Sequence, residues 1–304
     1  MVDASSYEDQ AQLLVQVLPF VAREAVFALK GGTALNLFLR PMPRLSVDID
    51  LTYLPLAGRE KSLADCRQAL ARIADDLESV SPQFGTAQQM GGDEELRILV
   101  SNSRVRIKVE VSPVLRGAIY QPEMHDIHPA VEERFGFASM AVLSKPDLYG
   151  GKICAALDRQ HPRDLFDIML LLAEKGLNRK IFDGFLVYLI SHQRSLADLL
   201  APKLSDLTPA FENQFRGMTP LDVRLEELEQ ARTDLLRSVS GMFTDKDKAF
   251  LLGVKRGEPD WSLLNVDGVD QLPAVQWKLE NIRRMSAKKH QGAIARLESV
   301  LEKI

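Results

Sequence analysis

Apolar residues recur at helical spacing from Tyr7 to Arg23, which predicts an amphipathic helix. Ala25 to Lys30 reads as a short apolar strand, broken by Gly31-Gly32. The spacing then predicts a short helix over Thr33 to Arg40, with Thr33 as its N-cap and Pro41 and Pro43 ending it. Ser46 to Tyr53 is strand-like, and Arg59 to Ser79 has the pattern of a long amphipathic helix. After a turn at Gly91-Gly92, strands are predicted over Glu94 to Ser101 and Arg104 to Ser112, with Asn102-Ser103 as the hairpin signal. From about Pro122 the pattern is mostly helical, strongest over Lys145 to Leu157, Arg163 to Lys175 and Arg179 to His192. Thr219 to Ile304 continues it with interruptions at Gly257, Pro259 and Pro273. No internal repeat or low-complexity tract is present. The pattern predicts an α/β (α+β) N-terminal domain with a mixed sheet over residues 1–135, and a mainly helical domain over 136–304.

Composition narrows the function classes. With 304 residues, 46% hydrophobic and 26% charged, the chain has enough apolar residues for a sizeable core. A net charge of -4 means that any nucleic acid must be met by a local basic patch rather than by a polycation. The start, Met1-Val2-Asp3-Ala4-Ser5, lacks the basic-then-apolar pattern of a signal peptide. Apolar runs such as Ile168 to Ala173 are too short to span a bilayer, so no membrane partner is expected. Cys66 and Cys154 lie far apart with no CxxC or Cys/His spacing, which argues against a disulfide framework or zinc site. A cytoplasmic, reduced protein is expected.

The chemistry centres on Ser46-Val47-Asp48-Ile49-Asp50-Leu51. Side chains alternate across a strand, so Asp48 and Asp50 share one face. Adjacent carboxylates repel unless a cation lies between them, and hard oxygen donors suit Mg²⁺ or Mn²⁺. Gly31-Gly32 sits between a strand and a helix start, where backbone N–H groups can approach phosphates. It is not a Walker A loop, because the spacing to Lys and Ser/Thr is absent. Arg104 to Val111 alternates charged and apolar residues throughout, a strand with one buried face. If that strand neighbours the Asp48 strand, Glu110 is a third carboxylate, and such a triad can hold two metals about 3.5–4 Å apart. A last segment runs from Lys145 through Lys152 to Arg163-Asp164-Leu165-Phe166-Asp167. Asp164 falls in a helix first turn, where a carboxylate suits the dipole, and Asp167 shares its face within reach of Arg163. His161 reads as a cap or surface residue.

These residues resemble the nucleotidyltransferases of the AbiEii/AbiGii toxin group, within the DNA polymerase β-like superfamily. The resemblance rests on Lys30-Gly31-Gly32-Thr33-Ala34-Leu35, Arg44-Leu45-Ser46-Val47-Asp48-Ile49-Asp50-Leu51, Ile107-Lys108-Val109-Glu110-Val111, and Lys152 through Asp167, with Glu258-Pro259-Asp260-Trp261 adding less specifically. It implies a polymerase β-like core whose helical C-terminal part completes the active site and the acceptor-binding surface. It implies metal ligation by Asp48 and Asp50, with Glu110 in the third position. It implies nucleotide binding by Gly31, Gly32, Thr33, Ser46 and Asp164, a triphosphate contact from Lys152, and a downstream acid in Asp167. Thr33 replaces the commoner Ser and keeps the hydroxyl. The family further implies an NTP substrate, an RNA acceptor such as the tRNA 3′ end, a cognate antitoxin, and a type IV toxin–antitoxin or phage-defence role.

An RNA acceptor needs basic surface, for which the candidates are Arg104, Arg106 and Lys108, and the segment carrying Arg283, Arg284, Lys288, Lys289 and His290. A metal-dependent nuclease is a competing reading, but it places its lysine after the acid, whereas the order here is Lys108-Val109-Glu110. A non-catalytic nucleotide-binding partner protein is a third.

Overall fold

The computed structural model of the chain describes residues 4–80, 83–88, 96–174 and 176–304. The Gly91-Gly92 turn, the first residues of the strand expected from Glu94, and Lys175 at the end of a predicted helix lie outside the described residues. The chain divides into two compact units: Met1–Ser144 with Arg216–Asp222, and Lys145–Phe215 with Val223–Ile304.

The first unit is built on a seven-stranded mixed sheet. Its strands are β1 (Phe27–Lys30), β2 (Asp48–Tyr53), β3 (Gly85–Gln88), β4 (Arg97–Ser101), β5 (Arg106–Val111), β6 (Glu123–Asp126) and β7 (Ser139–Val142). They lie side by side in the order β3-β4-β5-β2-β1-β7-β6. β2 runs parallel to β5 and β1 parallel to β7, while the other neighbours are antiparallel. The apolar face, including Ile49, Leu51, Ile98, Val100, Ile107 and Val109, is buried. Helices Ala4–Val21 and Arg59–Val80 pack on the sheet with Leu13, Leu14, Leu18, Leu70, Ile73 and Leu77 in the core. Between β4 and β5, the Asn102 side-chain oxygen accepts from the N–H groups of Arg104 and Val105, and the Asn102 N–H donates to the Val105 carbonyl. The residue that marked the hairpin in the sequence is thus the one that builds its turn.

Three strands escape the apolar pattern. β6 is almost wholly exposed and β3 reads Gly-Thr-Ala-Gln, so neither shows an apolar face. β7 is only four residues long. The expectation of helix from Pro122 onward is therefore corrected: β6 and β7 occupy part of that stretch, with helix Pro129–Phe135 between them, and the first unit runs on to Ser144. Edge strands and very short strands are where period-two alternation carries least information.

The second unit is helical. Helices Lys145–Arg159 and Arg179–Ser191 pack most intimately, and glycines make this possible. A Cβ on Gly150 would stand 2.7 Å from the backbone of Gly184, and one on Gly184 would collide with the Pro146 carbonyl. Helix Pro162–Glu174 packs with Leu225–Met242, and Asp245–Arg256 with Ala287–Leu301. The expected interruptions have distinct causes: Gly257 takes a left-handed φ of 85° as a C-cap, and Pro273 opens the helix Pro273–Arg283. Both cysteines are free and buried, one in each unit, and burial pushes the Cys66 thiol up to about 12. Among the described residues, no helix is long and apolar enough to cross a membrane.

Gly184→Ala is expected to destabilise the second unit by about 1–3 kcal/mol, since the added methyl meets backbone rather than a yielding side chain. Urea denaturation checks this, and an unchanged midpoint would contradict the close helix approach.

Candidate functional site

In the first unit, β2 alternates as expected. Asp48 and Asp50 are half-buried on one face, while Ile49 and Leu51 are fully buried on the other. Parallel pairing with β5 sets Asp48 opposite Lys108 and Asp50 opposite Glu110. The antiparallel partner β1 sets Lys30 opposite Asp50, and β4 sets Arg97 opposite Glu110. Directly opposed residues share a face, so a transverse row Arg97–Glu110–Asp50–Lys30 crosses the sheet, with Lys108–Asp48 beside it.

Glu110 thus stands where a third carboxylate was expected, but it is engaged: its Oε2 lies 2.6 Å from the Lys108 ammonium. Burial works against the Lys108 charge, yet Glu110, Asp48 and Asp50 outweigh it and raise the lysine's pKa. Among the described residues, no group of three or more His, Cys, Asp or Glu side chains is arranged to hold a metal ion. Asp48 and Asp50 lie on the same face of β2 as two neighbouring carboxylates. That suffices for Mg²⁺, which commonly takes one or two carboxylates and completes its shell with water and substrate phosphates.

The glycine turn lies against these carboxylates. Gly31 has a φ of 73°, and a Cβ there would stand 2.7 Å from the Asp50 Oδ2. Gly31 is therefore required twice, for its left-handed backbone and for the closeness of the carboxylate. A Cβ on Gly32 would meet the Arg44 Nη2 and the Ser46 hydroxyl, both at 2.8 Å. Helical structure begins at Gly31 and widens into a π-turn over Ala34–Phe38, so Thr33 is not the N-cap. Gly31 reverses the chain first, which places Thr33 inside the helical turn. Its buried hydroxyl donates to the Asp48 carbonyl at 2.5 Å and lies 3.1 Å from the Ser46 hydroxyl. Thr33 fastens the turn to β2. The stretch before β2 is fixed as well: the Leu45 N–H donates to the Met218 carbonyl, and the Thr219 hydroxyl to the Pro43 carbonyl.

The second unit carries a separate charged cluster. The Lys152 ammonium lies 2.9 Å from both Asp164 Oδ1 and Asp167 Oδ2. Arg159 donates to both Asp164 oxygens, at 2.5 Å and 3.0 Å. Lys152, Asp164 and Asp167 are buried, while Arg159 reaches Asp164 from an exposed position, so one buried cation and one solvated cation face the two anions. Asp164 and Asp167 do share a helix face, but Asp167 meets Lys152 rather than Arg163. His161 is a cap, its Nδ1 accepting from the Arg163 N–H and its Nε2 2.9 Å from the Gln214 side-chain oxygen.

Three residues that shape these places escaped the sequence reading as site residues. Lys30 and Arg44 lie within the motifs, but adjacency to a glycine or a serine does not by itself give a role. Arg159 lies five residues before Asp164, which is not a helical pair spacing.

A family model described as nucleotidyl transferase AbiEii toxin, type IV TA system, matches residues 12–281. No curated protein matches the chain. Among solved structures, the chain is similar to MenT4, a nucleotidyltransferase toxin from Mycobacterium tuberculosis H37Rv, with a TM-score of 0.61 and 13% identity, over 96% of this chain and 93% of that one. At that identity the likeness is one of fold.

Burial alone would raise the Asp164 pKa, but Lys152 and Arg159 outweigh it and hold the carboxyl well below the usual range. The stabilisation this gives is complete above the unfolded carboxylate pKa of about 4, and it is lost as pH falls from there through the folded value. Asp164→Asn is expected to destabilise the protein by about 1–3 kcal/mol at neutral pH, since Lys152 keeps Asp167 and Arg159 keeps solvent, with the gap to wild type narrowing below about pH 4. Denaturant midpoints measured across pH check this, and a gap independent of pH would contradict it.

Proposed function

Because the chain belongs to the AbiEii nucleotidyl transferase toxin family of type IV toxin–antitoxin systems, we propose that it is a metal-dependent enzyme that moves a nucleotide from an NTP to an RNA acceptor, the tRNA 3′ end. The observation that carries the reading is the closeness of the Gly31-Gly32 turn to the carboxylate strand, with room for no Cβ between Gly31 and Asp50. A glycine turn at a helix start beside two adjacent carboxylates brings together what nucleotidyl transfer needs.

In this reading Asp48 and Asp50 hold a divalent cation, Mg²⁺ or Mn²⁺. When bound, it supplies positive charge to the phosphate oxygens as charge builds on them. The Gly31 and Gly32 backbone and the Ser46 hydroxyl seat the triphosphate, and Thr33 keeps the turn in place through β2. The acceptor hydroxyl forms a bond to the α-phosphorus as the bond to the bridging oxygen breaks. Pyrophosphate leaves with that electron pair, and the hydroxyl proton passes to solvent. Glu110, paired with Lys108, serves as the counter-charge that keeps the lysine on this face. Lys152, Asp164 and Asp167 enter on the family pattern, as a triphosphate contact, a nucleotide contact and an acid. A cognate antitoxin, a phage-defence role and a cytoplasmic setting complete the proposal.

For the acceptor, Arg106 is exposed in the first unit, and Arg283, Lys288 and Lys289 in the second. Arg104 lies 3.6 Å from Asp9, and Arg284 is paired with Glu280 at 2.8 Å, so their charge is partly neutralised at home.

Asp48→Ala is expected to fold, by circular dichroism, and to lose transfer of labelled nucleotide by at least about 10²–10³-fold. Retained transfer would refute the assignment. The acceptor should lengthen; shortening would indicate a nuclease instead. RNA binding should weaken steeply with salt, and Lys289→Ala should reduce the slope of log K against log salt by about 0.7–0.9. An unchanged slope would remove Lys289 from the acceptor surface.

A further inference from the structure

Lys30 closes β1 immediately before the glycine turn, and its register places it opposite Asp50 on the carboxylate face. Its situation differs from that of Lys108, on the other side of β2. The Lys108 ammonium is matched by Glu110 at 2.6 Å. The Lys30 side chain has no hydrogen bond or ion pair among the described residues, although Asp50 and Glu110 are near enough to act on its charge. Burial dominates that balance and lowers its pKa. Lys30 is half-buried, and an ammonium with no acceptor from the protein is matched by a group that brings several oxygen acceptors.

The neighbourhood indicates which group. With a divalent cation on Asp48 and Asp50, Lys30 faces a second positive charge across the same strand pair, which is favourable only with an anion between them. The residue after Lys30 is Gly31, whose left-handed backbone turns directly beside Asp50, so that Lys30, the turn and the carboxylate meet at one end of the strand pair. A phosphate supplies both the intervening charge and the acceptor oxygens.

We propose that Lys30 is a substrate-binding residue that donates to a phosphate oxygen of the triphosphate at the glycine turn. The assignment rests on the nucleotidyl-transfer reading for the identity of the phosphate as part of an NTP. The alternative, a counter-ion that only tunes Asp50, would make Lys30 matter for the metal and not for phosphate.

The test uses the full-length chain with inorganic tripolyphosphate as probe, without metal, in isothermal titration calorimetry. Lys30→Gln should weaken binding about tenfold or more, and Lys30→Arg should retain most of it. In transfer assays the KM for NTP should rise in Lys30→Gln more than kcat falls. Equal tripolyphosphate binding by folded Lys30→Gln and wild type would overturn the proposal, as would wild type that binds no tripolyphosphate. A change confined to Mn²⁺ affinity would overturn it in favour of the counter-ion role. Should Lys30→Gln not fold, acetylation of Lys30 in wild type, followed by mass spectrometry, decides: tripolyphosphate should protect the amine, and unchanged labelling would overturn the proposal. Failure of the functional reading looks different: Lys30-dependent tripolyphosphate binding would persist, with no nucleotide transferred from any NTP.

Discussion

The site in the first unit depends on the contact between a glycine and a carboxylate. Gly31 turns with a φ of 73° hard against Asp50, leaving no space for a Cβ. The other arrangements follow from holding that contact. The Thr33 hydroxyl ties the turn to the Asp48 carbonyl, Ser46 lies against Gly32, and the stretch before β2 is secured through Met218 and Thr219. Residues distant in sequence thus hold a backbone turn and two carboxylates within a few ångströms of each other. In the proposed function, preorganisation of this kind would let fixed dipoles and charges act on a phosphate without rearranging.

The sheet contributes a second constraint through its register. Parallel pairing of β2 with β5 brings a third acid onto the carboxylate face, but brings a lysine with it. The Lys108–Glu110 pair shows how the face tolerates its crowded charge: the lysine that comes with the third acid also feels Asp48 and Asp50. In the second unit, buried Lys152 balances Asp164 and Asp167, and Arg159 adds a second partner for Asp164 from the solvent side. Buried ion pairs of this sort add little net stability, but breaking one leaves an uncompensated charge, so they fix a unique arrangement of side chains.

Much of this was legible in the chain. The Asp-x-Asp alternation on β2, the glycine turn after β1, the alternation along β5 and the Asn102 turn all follow from period-two patterning and turn chemistry, which act locally. The legible part ends where the deciding interaction is non-local. The engagement of Glu110 follows from its position beside Lys108 on a strand parallel to β2, and the anchoring of Thr33 from the Asp48 carbonyl. The edge strand β6 carries no apolar face to betray it. The partner of Asp167 is Lys152, on the preceding helix, where sequence spacing offered Arg163.

The central claim is that Asp48 and Asp50 together hold a divalent cation beside the glycine turn. Electron paramagnetic resonance of Mn²⁺ titrated into the protein in the presence of a non-hydrolysable NTP analogue tests it most directly. The account predicts a bound-metal signal in wild type that is lost in both Asp48→Asn and Asp50→Asn, with each variant still folded. Undiminished Mn²⁺ binding in either variant would contradict it.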